Sequence, residues 1–330
     1  MPTLADVAKK ANVSKMTVSR VINHPEQVTD ELKELVFSAM AELDYRPNIA
    51  AKALVSNRSQ IIKLFILEEI DTTEPYYMNL LMGIAKCIGK AHYSLQLVTN
   101  DAFDVGSCDG YIITGVREKD FDWIDRLEKP VVLFGENRFG YDYVDSDNHY
   151  GTAKASQYAM ECGYETIIYI GIDEDEPFEL SREAGYLSVM ETANMKPQIL
   201  RFPNHSTMAE KYLANHWSTI KPKTCFICSS DRLALGIVRG IAKEKGKIPE
   251  DFGVIGFDGV FLDQISSPKL TTVKQDIVRM GEVCGEMLLK KITEKGESQG
   301  YRRFFPELVI RETTRRPSKE VKFSYGYYGK

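Results

Sequence analysis

Residues 3–23, TLADVAKKANVSKMTVSRVIN, constrain this chain more tightly than any other stretch. Thr3 followed by Asp6 is a capping-box arrangement with Asp in place of the usual Glu or Gln. Leu4, Val7, Ala8 and Ala11 then recur at helical spacing on one face. Asn12-Val13 interrupts the pattern, and Asn suits the backbone of a tight turn. Ser14 is a second N-cap, opening a helix that runs to about Ile22. Val18, Val21 and Ile22 turn inward, leaving Lys15, Met16, Thr17, Ser19 and Arg20 facing out. Two short helices, the second with a polar and basic outer face, form a helix-turn-helix pattern.

A third helix is expected from Thr29 as N-cap, with Leu32, Leu35, Val36, Ala39, Met40 and Leu43 forming its core stripe. Tyr45-Arg46-Pro47-Asn48 ends it, because proline disfavours helix at the residue before it. The short piece IAAKAL, residues 49–54, cannot hold a helix alone in water. It is expected to be helical only when docked on a partner copy or in a DNA minor groove. The expected division is 1–46 as DNA-binding domain, 47–59 as hinge and 60–330 as core with a tail at 319–330.

The chain has 330 residues, 43% apolar and 27% charged, which suits two or three globular domains. No basic-then-apolar leader and no apolar run of spanning length is present, so the expectation is a cytoplasmic, nucleoid-associated protein with no membrane partner. Net charge is −5. Residues 1–59 nevertheless carry five Lys and three Arg against three Asp and four Glu, a net of +1, which leaves −6 for the rest. Lys15, Arg20, Arg46, Lys52 and Arg58 are thereby available for phosphates and base edges. Cys225-Phe-Ile-Cys228 has CxxC letters, but residues three apart on a strand face opposite sides, so neither metal nor redox chemistry is expected of it. No cofactor and no metal site is expected anywhere.

Beyond residue 60, apolar strand runs alternate with helical ones: 60–67, 109–115, 130–134, 166–171, 224–228 and 252–257 read as strands, 76–91, 151–162, 181–193, 232–245 and 278–294 as helices. Such alternation predicts right-handed βαβ units and two doubly wound α/β lobes, with the chain crossing between them more than once. Ligands of these sheets sit beyond the carboxyl ends of the strands. That places the candidate loops after Leu67, Ile113, Phe134, Gly171, Cys228 and Phe257.

The run TLADVAKKANVSKMTVSRVIN…YRPNIAAKAL, with SREAGY, SSDRLALG, GVIGFDG and LTTVKQD later, resembles the LacI/GalR family of bacterial transcription regulators over nearly the whole chain. The resemblance implies a helix-turn-helix headpiece and hinge helix ahead of a periplasmic-binding-protein-like core. Its lobes would comprise about 60–148 plus 277–305 and 149–274 plus 306–318, with three crossovers and a cleft between them. It implies a homodimer on a palindromic double-stranded DNA operator, most often as a repressor, controlled by a small sugar-like effector. The DNA-contacting set would be Thr3, Ser14, Lys15, Met16, Thr17, Ser19, Arg20, Asn23, Tyr45, Asn48, Ala51 and Leu54, with Leu54 as the minor-groove wedge. For the effector, Arg182 matches the family arginine at the start of a helix, and Asp258 follows a strand end where a carboxylate can accept from vicinal hydroxyls. Thr114, Glu69, Tyr76, Tyr77 and His205 complete the expected cleft. Ser230 stands where many relatives carry Asn, and Gly135 where a carboxylate is found, with Glu136 beside it as a substitute. Asp231 is expected to cap the helix from Arg232. Asp276 is expected at a crossover.

Enzymatic readings fail for want of any nucleophile elbow, P-loop, HExxH or dinucleotide fingerprint. The acids between Asp173 and Glu176 read as a solvated loop. Two alternatives remain: a sugar-binding transport protein, which the headpiece opposes, and a regulator whose co-repressor is a phosphoprotein.

Overall fold

The computed structural model describes residues 2–23, 27–45, 58–68, 75–98 and 106–317. The expectations for Asn48, Ala51, Leu54 and Glu69, and for the side chain of Asn23, lie outside these. Two compact units result, 1–60 and 61–330.

In the first unit, α1 (Leu4–Lys10), α2 (Lys15–Asn23) and α3 (Asp30–Glu42) enclose Val7, Ala8, Ala11, Val18, Val21, Val36 and Ala39. The Thr3–Asp6 capping box is formed in both directions. Asn12 takes φ +50 in the turn, the left-handed region that Asn tolerates. Ser14 Oγ accepts from the Thr17 backbone N–H at 3.0 Å and so caps α2. Two expectations need correction. Thr29 makes no side-chain cap bond, and Leu35 is 49% exposed, not part of the core stripe. Val36 and Ala39 supply the buried edge of α3 instead, and Lys10 pairs with Glu42 at 2.7 Å.

The second unit holds two six-stranded sheets. The first lobe is built from β1 (Ile61–Ile66), α4 (Tyr76–Lys90), β2 (Ser94–Val98), β3 (Gly110–Thr114), α5 (Phe121–Ile124), β4 (Val131–Phe134) and β5 (Tyr143–Ser146). The second lobe follows as α6 (Asn148–Glu161), β6 (Thr166–Ile172), α7 (Pro177–Thr192), β7 (Ile199–Phe202), α8 (Ser206–His216), β8 (Thr224–Cys228), α9 (Asp231–Lys243), β9 (Phe252–Asp258), α10 (Leu262–Ile265) and β10 (Thr271–Lys274). The chain then returns with α11 (Ile277–Thr293) and β11 (Tyr301–Phe304) to the first lobe, and ends with β12 (Glu307–Val309) in the second. Strand orders are β11-β5-β4-β3-β1-β2 and β12-β10-β9-β8-β6-β7. Among the described residues, every pairing is parallel except β10 with β12.

Each sheet is buried on both faces, as parallel sheets require. Strand β8 illustrates the pleat: Cys225 and Ile227 enter one apolar cluster, Phe226 and Cys228 the opposite one. The two cysteines are therefore on opposite faces, and burial pushes both thiols well above their ordinary range. Helices α4 and α11 pack face to face through glycine. A Cβ at Gly83 would lie 2.1 Å from the Val278 carbonyl oxygen, so only glycine admits this approach. Asp147 and Asp276 cap α6 and α11, accepting from Tyr150 N at 2.9 Å and Arg279 N at 3.2 Å. Two of the three crossings thus begin on a capping aspartate.

Candidate effector cleft and DNA-reading helix

A cavity of about 190 Å³ opens beyond the carboxyl ends of the strands of the second unit. Space of that order is room enough for a small molecule. Tyr76, Tyr77, Thr114, Glu136, Arg182, Ser230 and Asp258 all line it. His205 does not; it is exposed at the N-terminus of α8. The neighbouring Asn204 takes the wall position expected of it.

Arg182 is the most constrained of these groups. It sits in the second turn of α7, which begins at Pro177, and not at a helix start. Its Nε donates to Asn148 Oδ1 at 2.9 Å and its Nη1 to the Ser229 carbonyl at 2.6 Å. The guanidinium lies over the Phe257 ring, and Nη2 stands 3.9 Å from Asp258 Oδ1. Below it, Glu179 accepts from Tyr169 Oη at 2.8 Å and from Ser229 Oγ. Burial raises the Glu179 carboxyl pKa, with Ser229, Arg182 and Tyr169 opposing.

Polar contacts run from this arginine to both of the first two crossings. Asn148 Nδ2 donates to Asp145 Oδ2 at 3.2 Å; Gln275 Nε2 donates to Asp258 Oδ1 at 2.9 Å and its Oε1 accepts from Ser146 Oγ at 2.6 Å. The residues touching the cavity are therefore bonded to the segments about which two lobes can turn. Asp258 holds φ +115, rare for a side chain larger than hydrogen, which aims its carboxylate from the strand end.

Ser230, not Asp231, is the cap of α9: its Oγ accepts from Leu233 N at 3.2 Å and donates to Asn204 Oδ1 at 2.7 Å. Asp231 is a buried strut that accepts from Gly259 N at 2.9 Å and Thr272 Oγ1 at 2.5 Å. Burial, with Asp258 nearby, raises its pKa well above the ordinary value. Glu136 accepts from Ser181 Oγ of the other lobe. Of the acids before α7, Asp173, Glu174 and Asp175 are exposed as a solvated loop should be, but Glu176 is buried and lines the cavity. Burial pushes its carboxyl up to about 7, with repulsion from Glu68 and Glu174 adding and Arg117 opposing. Burial likewise raises Glu68, which bonds to Tyr77 and Thr114, and brings Asp145 up to about 6.

Reading from sequence passes over Glu68, Asp145, Glu176, Asn204 and Arg232, all cavity-lining. Glu68 directly follows Leu67, so the strand-end rule pointed within one residue of it. Asp145 lies on β5, too short and polar to register as a buried strand.

In the first unit, α2 carries Lys15, Met16 and Arg20 exposed, Met16 at 72%, while Val18 and Val21 are fully buried. Thr17 and Ser19 are half-buried, Thr3 and Ser14 exposed. Tyr45 is half-buried against the headpiece core. An exposed cationic edge on a rigidly buried helix is a surface shaped for a duplex groove.

Fold and sites together define a helix-turn-helix regulator joined to a periplasmic-binding-protein-like core. Residues 3–48 match the bacterial regulatory proteins of the lacI family, and residues 157–314 the periplasmic binding protein-like domain. The uncharacterized HTH-type transcriptional regulator YvdE of Bacillus subtilis (strain 168) is 54% identical over 315 residues, 95% of this chain and 100% of that protein. The ribose operon repressor of Halalkalibacterium halodurans is 31% identical, covering 96% and 98%. The solved complex of the transcriptional regulator CelR with cellobiose matches with TM-score 0.69 at 25% identity, over 95% of this chain and 100% of that one. A lac repressor dimer bound to operator matches in fold, with TM-score 0.73 at 21% identity over 95% and 99%. This chain belongs to the LacI family; it is a DNA-binding transcriptional regulator and not an enzyme. Among the described residues, no helix is long and apolar enough to cross a membrane.

Proposed function

We propose that this regulator is a repressor that binds a palindromic operator as a homodimer and is controlled by a small polyhydroxylated effector in the inter-lobe cavity. The observation that carries the DNA part is the partition of α2, with Val18 and Val21 at 0% exposure behind Lys15, Met16 and Arg20. Arg20 suits bidentate bonding to guanine, and Met16 offers apolar surface to a thymine methyl. Thr3, Ser14, Thr17, Ser19, Asn23 and Tyr45 are proposed to hold the register, with Asn48, Ala51 and Leu54 of the hinge. A second copy is favoured by large apolar groups left exposed in the first lobe: Met78 and Met82 on α4, Val278 on α11 and Leu97 on β2.

For the effector, Glu68, Glu136, Asp145, Glu176 and Asp258 face only Arg182 and Arg232 across the lining. Such a wall accepts hydroxyl donors and repels phosphates and carboxylates. Tyr76 and Tyr77 offer flat faces to a ring. That favours a neutral sugar over a sugar phosphate or sugar acid, and the cellobiose bound in CelR is of that chemistry. Because Arg182 and Asp258 bond to the crossing segments, an effector that prefers one lobe arrangement shifts the spacing of paired headpieces.

The test has two parts. Operator selection should show altered base preference with Arg20→Ala and a reduced salt slope with Lys15→Ala; unchanged preference in the first together with an unchanged slope in the second removes the DNA assignment. A thermal-shift screen of neutral sugars, sugar acids and sugar phosphates should select the neutral class. Stabilisation by a sugar phosphate alone contradicts the effector reading.

A further inference from the structure

Arg117 lies just beyond β3 in the first lobe, after Gly115, and does not itself line the cavity. Its backbone N–H donates to Asp120 Oδ2 at 2.8 Å, which pins the loop that carries it. Its guanidinium reaches into the second lobe. Nη2 bonds Glu174 Oε2 at 2.9 Å and Nε bonds Glu176 Oε1 at 3.3 Å. One cation thus spans two carboxylates that both precede α7. The Glu176 side chain is 6% exposed and forms cavity wall; that of Glu174 is 42% exposed at the rim.

We infer that Arg117 is a clasp that holds the two lobes together across the cavity rim, and so helps to preset the site for its ligand. The physical case has three parts. First, the partners sit on different lobes, so the contact is lost whenever the lobes separate. Second, Glu176 stands among Glu68 and Glu174, where a carboxylate without a cation is repelled by its neighbours; Arg117 is the cation bonded to it. Third, one half-exposed pair contributes little, but a fork across two acids, one of them buried, makes charge-assisted bonds in a drier setting. Ser181 to Glu136 adds a second bridge between the lobes. A protein held closed loses less affinity to the cost of selecting the closed form. That consequence rests on the cavity being the effector site; the clasp itself does not.

The experiment is hydrogen exchange by mass spectrometry on the full chain with no ligand added. In Arg117→Gln, amides of 114–118 and of 174–180 should exchange about three- to tenfold faster, while the β8 core strand is unchanged. Glu174→Gln, at an exposed carboxylate, should accelerate the same two segments by a smaller factor. Arg117→Lys, which keeps a cation facing Glu174 and Glu176, should leave both segments closer to the parent rate than Arg117→Gln does. Acceleration confined to 114–118, or none, overturns the clasp, because only its loss on both lobes marks separation. An Arg117→Lys protein as fast as Arg117→Gln also overturns it, since the charge was then not what held the lobes. No sugar enters this test, so its failure is distinguishable from failure of the effector reading.

Discussion

The guanidinium carbon of Arg182 lies 3.7 Å from the centroid of the Phe257 ring, an arrangement that fixes a buried cation by its flat face and leaves its edges for hydrogen bonds. Lysine cannot reproduce this, having neither the plane nor the fork. Arg182→Lys should weaken the effector selected by thermal shift by about 1.5–3 kcal/mol, roughly ten- to 150-fold. Titration calorimetry on the variant measures it, and unaltered operator affinity without effector shows that the headpiece is untouched. Equal effector affinity in the two proteins would remove Arg182 from the site.

On the DNA side, Arg20 and Lys15 should separate into two kinds of contact. Arg20→Ala should cost about 1–3 kcal/mol on the preferred operator and relax selection at one base pair per half-site. Lys15→Ala should weaken all sequences more evenly and lower the salt slope by about one unit per headpiece. Binding isotherms at several salt concentrations, on operator and on random duplex, distinguish the two.

Gly83 and Gly89 share α4 but not surroundings. A Cβ at Gly83 meets the Val278 backbone oxygen at 2.1 Å, while one at Gly89 meets nothing within 4 Å. Gly83→Ala must push α4 off α11 and should lose about 2 kcal/mol or more. Gly89→Ala should gain about 0.5 kcal/mol from reduced backbone freedom. Urea unfolding of both variants checks the pair, and a neutral Gly83→Ala would contradict the close approach.

Buried Asp145 carries a pH prediction. Burial takes its carboxyl from an ordinary 3.8 to about 6, against the backbone N–H groups of Glu136 and Ser146 that it accepts from. The folded protein therefore holds this proton more tightly than the unfolded chain. Its contribution to stability is complete below about 4 and falls as pH rises toward 6. Asp145→Asn has no such proton to lose. Its stability relative to the parent should rise by about 1–2 kcal/mol between pH 5 and pH 8, read from urea midpoints at both. A constant difference would place the titration elsewhere.

The headpiece was legible because its information is local. Thr3–Asp6, Asn12 and Ser14 each act within four residues, and the inward set Val7, Ala8, Val18 and Val21 follows from helical period alone. Leu35 misled because periodicity gives a stripe but not the width of the partner surface, and two short helices cover only the Val36–Ala39 side. In the core, the strand-end rule located the cavity but did not name Glu68, and it missed one member by one place, at His205 against Asn204. Which of two adjacent residues turns inward depends on how a loop leaves its strand, and that has no sequence period.

Sequence by itself determined the three-helix reader, the two α/β lobes and the family, since periodicity, caps and motifs are properties of neighbouring residues. Tertiary structure alone decided which charges meet: Arg182 with Asn148 and Asp258, Asp231 with Gly259 and Thr272, Arg117 with Glu174 and Glu176. Those partners lie 28 to 76 positions apart, Arg182–Asp258 being the widest. Folding within the second lobe brings the partners of Arg182 and Asp231 within reach, and the packing of one lobe on the other brings Arg117 to Glu174 and Glu176. Burial then makes each charge depend on its partner.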